Sequence, residues 1–346
     1  TEITPFGEGL INTTYLVVTD SKDKQNKYIL QKINQYVFPE PWKVMENLST
    51  VNKHINTNVK SSISSGDLKI TQAVDTIKGQ DYNLVLENKD AWRMIEYIPD
   101  TKTIKTAESR EIAYEAARAF GKFASYLSAL DTNLIYTTIP GYHAYSNRLE
   151  KLELSIRENT EGRVADCKNE IVAAQERRDY LMRMNHLIEG GHTPRRVTHN
   201  DTKIDNVLFD INGKKAIGVI DLDTVMPATI LYDFGDMVRS SCNSTREDNP
   251  DIDSIHFKMD IFKGLAEGFL KETNSFINNH EKDNLVFGGL FFTWIQAVRF
   301  LTDYLMGDVY YKTAYPEHNL DRTKNQLAYL SLMEERRKEL EDFIAG

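Results

Sequence analysis

The sequence predicts an α+β fold in two parts, a small antiparallel β-sheet carrying one helix and a larger, mainly helical part. Three observations lead there. β-Branched and aromatic runs dominate residues 1–98, apolar spacing turns helical after Pro99, and one hairpin signal near residue 212 interrupts the helices. The boundary is expected between residues 98 and 99.

In the first part, TTYLVVTD (13–20) and KYILQKI (27–33) read as strands separated by the polar stretch SKDKQN. QDYNLVLE (80–87) and AWRMIEYI (91–98) read as a second pair. Between the pairs, residues 42–55 place Val44, Leu48, Val51 and Ile55 at helical spacing. In the second part, Ile112, Ala116, Phe120, Phe123, Leu127 and Leu130 mark one face of a helix over 106–130. Residues 145–189 read as charged helix, stopped by Gly190 and Gly191. VLFD and KAIGVID flank Asn212-Gly213, a strong two-residue hairpin turn. Helical spacing returns from 255 to the end.

The 346 residues carry 41% hydrophobic and 27% charged side chains, enough for a substantial core. A net charge of −9 argues against a nucleic-acid partner, which needs a basic footprint. No apolar run approaches a membrane span, so no membrane association is expected. Two distant cysteines, Cys167 and Cys242, offer no disulfide framework and predict a cytoplasmic protein. Oligomeric state is left open.

RVTHNDTKIDNVLFD (196–210) gathers a histidine, two asparagines and three aspartates before a strand. Asn and Asp favour turns for local hydrogen-bonding reasons, so a plain turn is one reading. The spacing supports another. A hairpin brings its ends together, which sets Asn206, before its first strand, beside Asp221, after its second. An amide oxygen next to a carboxylate is a hard-oxygen pair suited to Mg²⁺. Asp201 on the preceding loop can take a proton from an attacking hydroxyl, and Lys203 puts a cation near phosphoryl oxygens. Phosphoryl transfer needs that set of groups.

His-x-Asp-x-Lys-x-x-Asn followed by Ile-Asp-Leu resembles the catalytic and metal-binding loops of the protein-kinase-like fold. The form HNDTKIDN with IDLDT is similar to the aminoglycoside phosphotransferase and choline kinase superfamily. GEGLINTTYLV, VTHNDTK, IDLDTVMP with YDFGD, and YPEHN together resemble bacterial N-acetylhexosamine 1-kinases, over nearly the whole chain. The resemblance implies ATP and Mg²⁺ as cofactors and a sugar C1 hydroxyl as acceptor. It implies Asp201 as the catalytic aspartate, Asn206 and Asp221 as metal ligands, and His199 as a structural residue. Asp223 lies close enough in sequence to reach metal or substrate. Asp233, in YDFGD, is expected to brace the catalytic loop.

For the nucleotide, Gly7, Gly9, Asn12 and Thr13 stand before and at the start of a strand, where glycines let backbone approach phosphates, although such a short pattern also fits an ordinary turn. The strand position that the resemblance assigns to a phosphate-binding lysine holds Gln31, while Lys32 points to the opposite face. Gln31 itself, Lys32 through a bulge, or another cation then serves. The backbone of Glu96, Tyr97 and Ile98 is expected to meet adenine. For the acceptor, residues 294–322 mix aromatic and polar side chains as a neutral sugar requires. Arg299, Tyr304 and Tyr310 are the candidates, against a background of tyrosines that pack as core. A choline, homoserine or other alcohol kinase, and a kinase-like binding protein without turnover, are the alternatives; ATP and GTP are not distinguished.

Overall fold

The computed structural model describes residues 1–7, 11–21, 24–59, 68–75, 84–87 and 90–346. Gly9 lies outside the described residues, as does the 80–83 portion of the third expected strand.

Chain order begins with strands β1 (Glu2–Pro5), β2 (Thr13–Ser21) and β3 (Lys24–Ile33), then helix α1 (Pro41–His54). Strands β4 (Lys69–Ile70), β5 (Leu84–Glu87), β6 (Asp90–Glu96) and β7 (Thr101–Thr103) follow. β1-β2-β3-β6-β5 form an antiparallel five-stranded sheet. β1 was not anticipated, because EITP is too short to show a period. Along β3, Ile29 and Ile33 are buried on the face that Gln31 shares, while Leu30 and Lys32 alternate to the other. On α1, Val44, Leu48 and Val51 are buried at the spacing the sequence predicted. The helix continues past His54 as a π-turn over Ile55–Val59.

Helix α2 (Arg110–Leu127) starts where Ser109 accepts the Ile112 N–H. The stretch 145–189 is three helices rather than one: α3 (Tyr145–Glu158), α4 (Lys168–Glu176) and α5 (Asp179–Glu189). Left-handed residues Asn159 and Gly162 break the first from the second. Strand β8 (Arg196–Thr198) leads to the hairpin β9 (Val207–Asp210) and β10 (Ala216–Val219), then β11 (Met226–Ala228) pairs back on β8. β4 and β7, from before the helices, join the hairpin edges in the order β4-β10-β9-β7. Gly213 has φ +73°, so the turn geometry favours glycine; a Cβ there would meet only the movable end of the Lys102 side chain.

Helices α6 (Ile230–Ser241), α7 (Met259–Thr273), α8 (Asn279–Asp283), α9 (Leu285–Leu305), α10 (His318–Glu335) and α11 (Arg337–Ala345) complete the chain. α9 corrects one expectation. By length and composition it could cross a membrane, yet 94% of its most apolar window is buried inside the fold. It is the central core helix, apolar all round because neighbours surround it. α6 and α9 cross at glycines. A Cβ on Gly235 would stand 2.4 Å from the Gly288 carbonyl oxygen, and one on Gly288 2.5 Å from that of Leu231. Gly235→Ala therefore forces α6 off α9; we expect about 1–3 kcal/mol lost, the cost of overpacking, read by urea denaturation.

Candidate active site

The loop after β8 is built around Asp233, near the N-terminus of α6. Its buried carboxylate accepts the backbone N–H groups of His199 (3.0 Å) and Asn200 (2.7 Å), and its carbonyl accepts Thr202 Oγ1 at 2.6 Å. Burial pushes the Asp233 carboxyl up to about 7, opposed by those two N–H groups. Asn200 sits at φ +65°, and its side-chain amide donates to the carbonyls of Thr198 (3.1 Å) and Thr224 (3.0 Å). The bracing role expected of Asp233 is the one its contacts describe.

His199 is fully buried, edge-on to Phe120 and Phe123. Its Nε2 lies 3.0 Å from the Ile220 carbonyl and its Nδ1 3.3 Å from the Asp201 N–H. Both contacts are satisfied by a neutral ring protonated at Nε2, and burial lowers its pKa, which favours that form. His199 thus ties the loop to the strand end opposite it.

The hairpin closes at its open end. Val207 pairs with Val219, and the Ile220 N–H donates to the Asn206 carbonyl at 3.0 Å. Asn206 spends its amide hydrogens on Asp201, on the carbonyl (2.8 Å) and on Oδ2 (3.0 Å). Among the described residues its own Oδ1 accepts no hydrogen bond. Asp221 follows at φ +61°, a left-handed conformation uncommon for a side chain with a Cβ. Its side chain opens onto the cleft, with protein packed around the rest. Those surroundings, then the Asp223 and Asp201 carboxylates, push its pKa up to about 7, although water on the open side screens part of that. Asp201 goes the other way. Burial would raise it, but Lys203 Nζ at 3.0 Å from Oδ1 and the Asn206 amide hold it below the ordinary carboxylate value. Lys203, about half exposed, is raised chiefly by Asp201.

An amide oxygen and an accessible carboxylate crowded by other carboxylates suit a divalent cation. Among the described residues no group of three or more His, Cys, Asp or Glu forms a metal cage. A two-oxygen site of this kind fits Mg²⁺, which keeps waters and ligand phosphates in its shell.

Several expected assignments are corrected. Asp223 is 3% exposed and both its oxygens are taken, Oδ1 by Arg93 Nη1 (2.6 Å) and Oδ2 by Asn12 Nδ2 (2.8 Å), so it is not a substrate group. Lys32 does not reach in through a bulge. The β2-β3-β6 register is unbroken, and Lys32 pairs with Asp90 at 2.7 Å on the far face. Thr13, its cross-strand partner, lines a groove there with Lys32 and Asp90. Gln31 lies on the opposite face from Lys32, and its oxygen accepts Arg93 Nε (3.0 Å) and Nη2 (2.7 Å). Gly7 turns at φ +76° in the open. Asn12 reaches across to Asp223 while its oxygen accepts the Asn34 N–H at 2.9 Å. At the connector, the Glu96 N–H donates to the Gln72 carbonyl and the Ile98 carbonyl accepts Thr101 Oγ1; these contacts do not involve the Glu96 carbonyl or the Ile98 N–H. Tyr97 packs edge-on against Phe6.

Of the acceptor candidates, Arg299 and Tyr310 come together, the guanidinium 5.9 Å from the Tyr310 ring and 5.5 Å from Tyr311. Tyr304 does not join them; it is buried under Arg163, 4.7 Å from its ring, where it packs. Tyr315 stacks on His318 in a different groove of about 770 Å³, lined also by Arg246 and Asp248. Three residues went unread. Tyr142 donates to the Asn200 carbonyl at 3.0 Å, and burial, then Asp201, keeps its hydroxyl protonated. Arg148 donates to the Tyr142 carbonyl (3.0 Å) and lies close enough to Arg299 for the two to repel. Arg93 is the third, and only the Gln31 substitution hinted at it.

Asp233→Ala strips an acceptor from two buried backbone donors at about 1–3 kcal/mol each. We expect a cooperative loss of stability of that order in denaturant titration, with Asp233→Asn milder because it retains one oxygen.

The sequence profile of the family described as the phosphotransferase enzyme family matches residues 2–255. Among solved structures, a microcompartment-associated aminopropanol kinase is 15% identical with a TM-score of 0.66, covering 98% of this chain and 93% of its own. An aminoglycoside phosphotransferase from Alicyclobacillus acidocaldarius is 15% identical with a TM-score of 0.61, over 98% and 92%. A spectinomycin phosphotransferase, solved with ADP and spectinomycin, is 13% identical with a TM-score of 0.58, over 96% and 92%. At these identities the likeness is one of fold, and it agrees with the kinase-like α+β fold read from the sequence.

Proposed function

The chain belongs to the phosphotransferase enzyme family, and on that premise we propose that it moves the terminal phosphoryl group of ATP, bound with Mg²⁺, to the C1 hydroxyl of an N-acetylhexosamine. The observation that carries the transfer chemistry is the convergence of Asp201, Asn206 and Asp221 at the hairpin ends. Residues 1–98 contribute most of the nucleotide side and residues 99–346 the catalytic and acceptor side.

Asp201, ionised at neutral pH because Lys203 and Asn206 stabilise its charge, accepts a hydrogen bond from the acceptor hydroxyl and takes its proton. Lys203 stands beside it with further N–H donors for the transferring oxygens. Asn206 and Asp221 would hold Mg²⁺, which when bound offsets phosphate charge. His199 and Asp233 keep the loop from relaxing.

The acceptor side supports a neutral, oxygen-rich molecule over a cationic one. Arg148 and Arg299 adjoin with no ion pair on either among the described residues. A choline or aminoglycoside would meet two guanidiniums rather than carboxylates. Tyr142, Tyr310 and Tyr311 add aromatic faces and hydroxyls suited to a sugar ring. Buried free thiols at Cys167 and Cys242 support a reducing compartment, hence the cytoplasm.

The direct test is a transfer assay with ATP, Mg²⁺ and GlcNAc, GalNAc, choline or buffer alone, followed by assignment of the phosphorylated oxygen by NMR. We expect sugar 1-phosphate; choline phosphate without sugar phosphate would overturn the acceptor assignment. Asp201→Asn should lower turnover by about 10²-fold or more, the scale of a lost general base. Asp221→Ala should abolish the Mg²⁺ dependence of ATP binding measured by calorimetry.

A further inference from the structure

A guanidinium that is 4% exposed needs a reason. Arg93 lies on β6 opposite Gln31 of β3, on the sheet face from which it reaches Asp223. Gln31 fixes it from one side with two hydrogen bonds to its Nε and Nη2, and is itself steadied by donating to Thr14 Oγ1 at 3.1 Å. Nη1 then crosses to Asp223 at 2.6 Å, 130 residues later in sequence and two residues past Asp221. The Arg93 charge is felt at Asp221 itself. Asn12, from the turn before β2, meets the other oxygen of Asp223.

Charge accounts for this arrangement. The cleft gathers three carboxylates, Asp201, Asp221 and Asp223. Lys203 serves Asp201, and Arg93 serves Asp223. Gln31 is neutral, so on its own sheet Arg93 keeps its full positive charge. Three of its five N–H groups are used by these contacts, and the other two have no partner among the described residues. The lysine slot is empty of lysine, and Lys32 is spent on Asp90 on the far face. Anionic phosphates entering between sheet and hairpin would therefore meet Arg93 as the cation of the sheet. A planar guanidinium with free donors is well matched to phosphate oxygens.

We propose that Arg93 binds the nucleotide phosphates in place of a β3 lysine, with Gln31 and Asp223 as the residues that position it. This rests on the nucleotide-dependent transfer proposed above. The alternative is a buried ion pair that only ties sheet to hairpin.

The test is calorimetric binding of ATP with Mg²⁺, alongside KM values for ATP and acceptor and a thermal melt. Arg93→Gln should weaken ATP about tenfold or more, the worth of a charge-assisted contact, while acceptor KM stays within about twofold. Adding Gln31→Lys to Arg93→Gln returns a cation to the sheet without restoring the Asp223 contact. It should recover most of the ATP affinity if phosphate binding is the role, and none if the tie is. Should Arg93→Gln fail to fold, Gln31→Glu keeps the guanidinium but neutralises it, and should still weaken ATP severalfold. Unchanged ATP affinity in Arg93→Gln or Gln31→Glu, or no recovery in a folded double variant, overturns the proposal. A native protein that binds no nucleotide overturns the kinase reading and this inference together. A native protein that binds ATP, with variants that match it, overturns this inference alone.

Discussion

Two backbone N–H groups donated to one buried carboxylate, those of His199 and Asn200 to Asp233, hold the site in place. Without them the segment after β8 would be a loop free to pair its own Asn and Asp side chains locally. With them, Asn200 is fixed in a left-handed conformation and Asp201 is delivered to Asn206. The anchor belongs to α6, whose own position is fixed by backbone contact with α9 at Gly235 and Gly288. Local conformation at the loop is thus set by packing in the core.

Electrostatics explains why the loop needs such support. Asp201, Asp221 and Asp223 repel one another, and folding them together costs free energy unless cations answer each charge. Lys203 and Arg93 answer two. Asp221, with no side-chain ion pair among the described residues, is the one pushed up to about 7. The unbalanced charge falls on the carboxylate that opens to the cleft, where a ligand cation can reach it.

What the sequence reveals follows from the range of each interaction. The Asn212-Gly213 turn is local, so bringing the two ends of the hairpin together needs only hairpin geometry, and Val207 pairs with Val219 there. The helices from 42 and 106 were legible because their buried faces repeat within one element. The pairs Arg93 with Asp223 and Tyr142 with Asn200 join residues far apart, and no local pattern encodes them. One signal was available for Arg93. A glutamine in a lysine slot asks where the charge has gone, and the facing position on the next strand is the first place to look. Short strands such as β4 and β7 show no period at all, and the core role of α9 is invisible to a pattern that cannot distinguish protein from lipid as its apolar surroundings.

The α6–α9 crossing also bears on the acceptor. Arg299 follows Gly288 by eleven residues, about three turns and roughly 16 Å along the helix, so both lie on one face of α9. α6 meets that face at Gly235, and α6 also carries Asp233, which sets the Asp201 loop. A single pair of helices therefore positions Asp201 through one member and Arg299 through the other. The distance between them is set by close backbone approach at Gly235 and Gly288, with Leu231 and Phe292 packed beside the crossing. Such a gauge suits the acceptor proposed above, small and rigid, its hydroxyl at Asp201 and its far side at Arg299, since any slack would be lost as misalignment at the reacting oxygen.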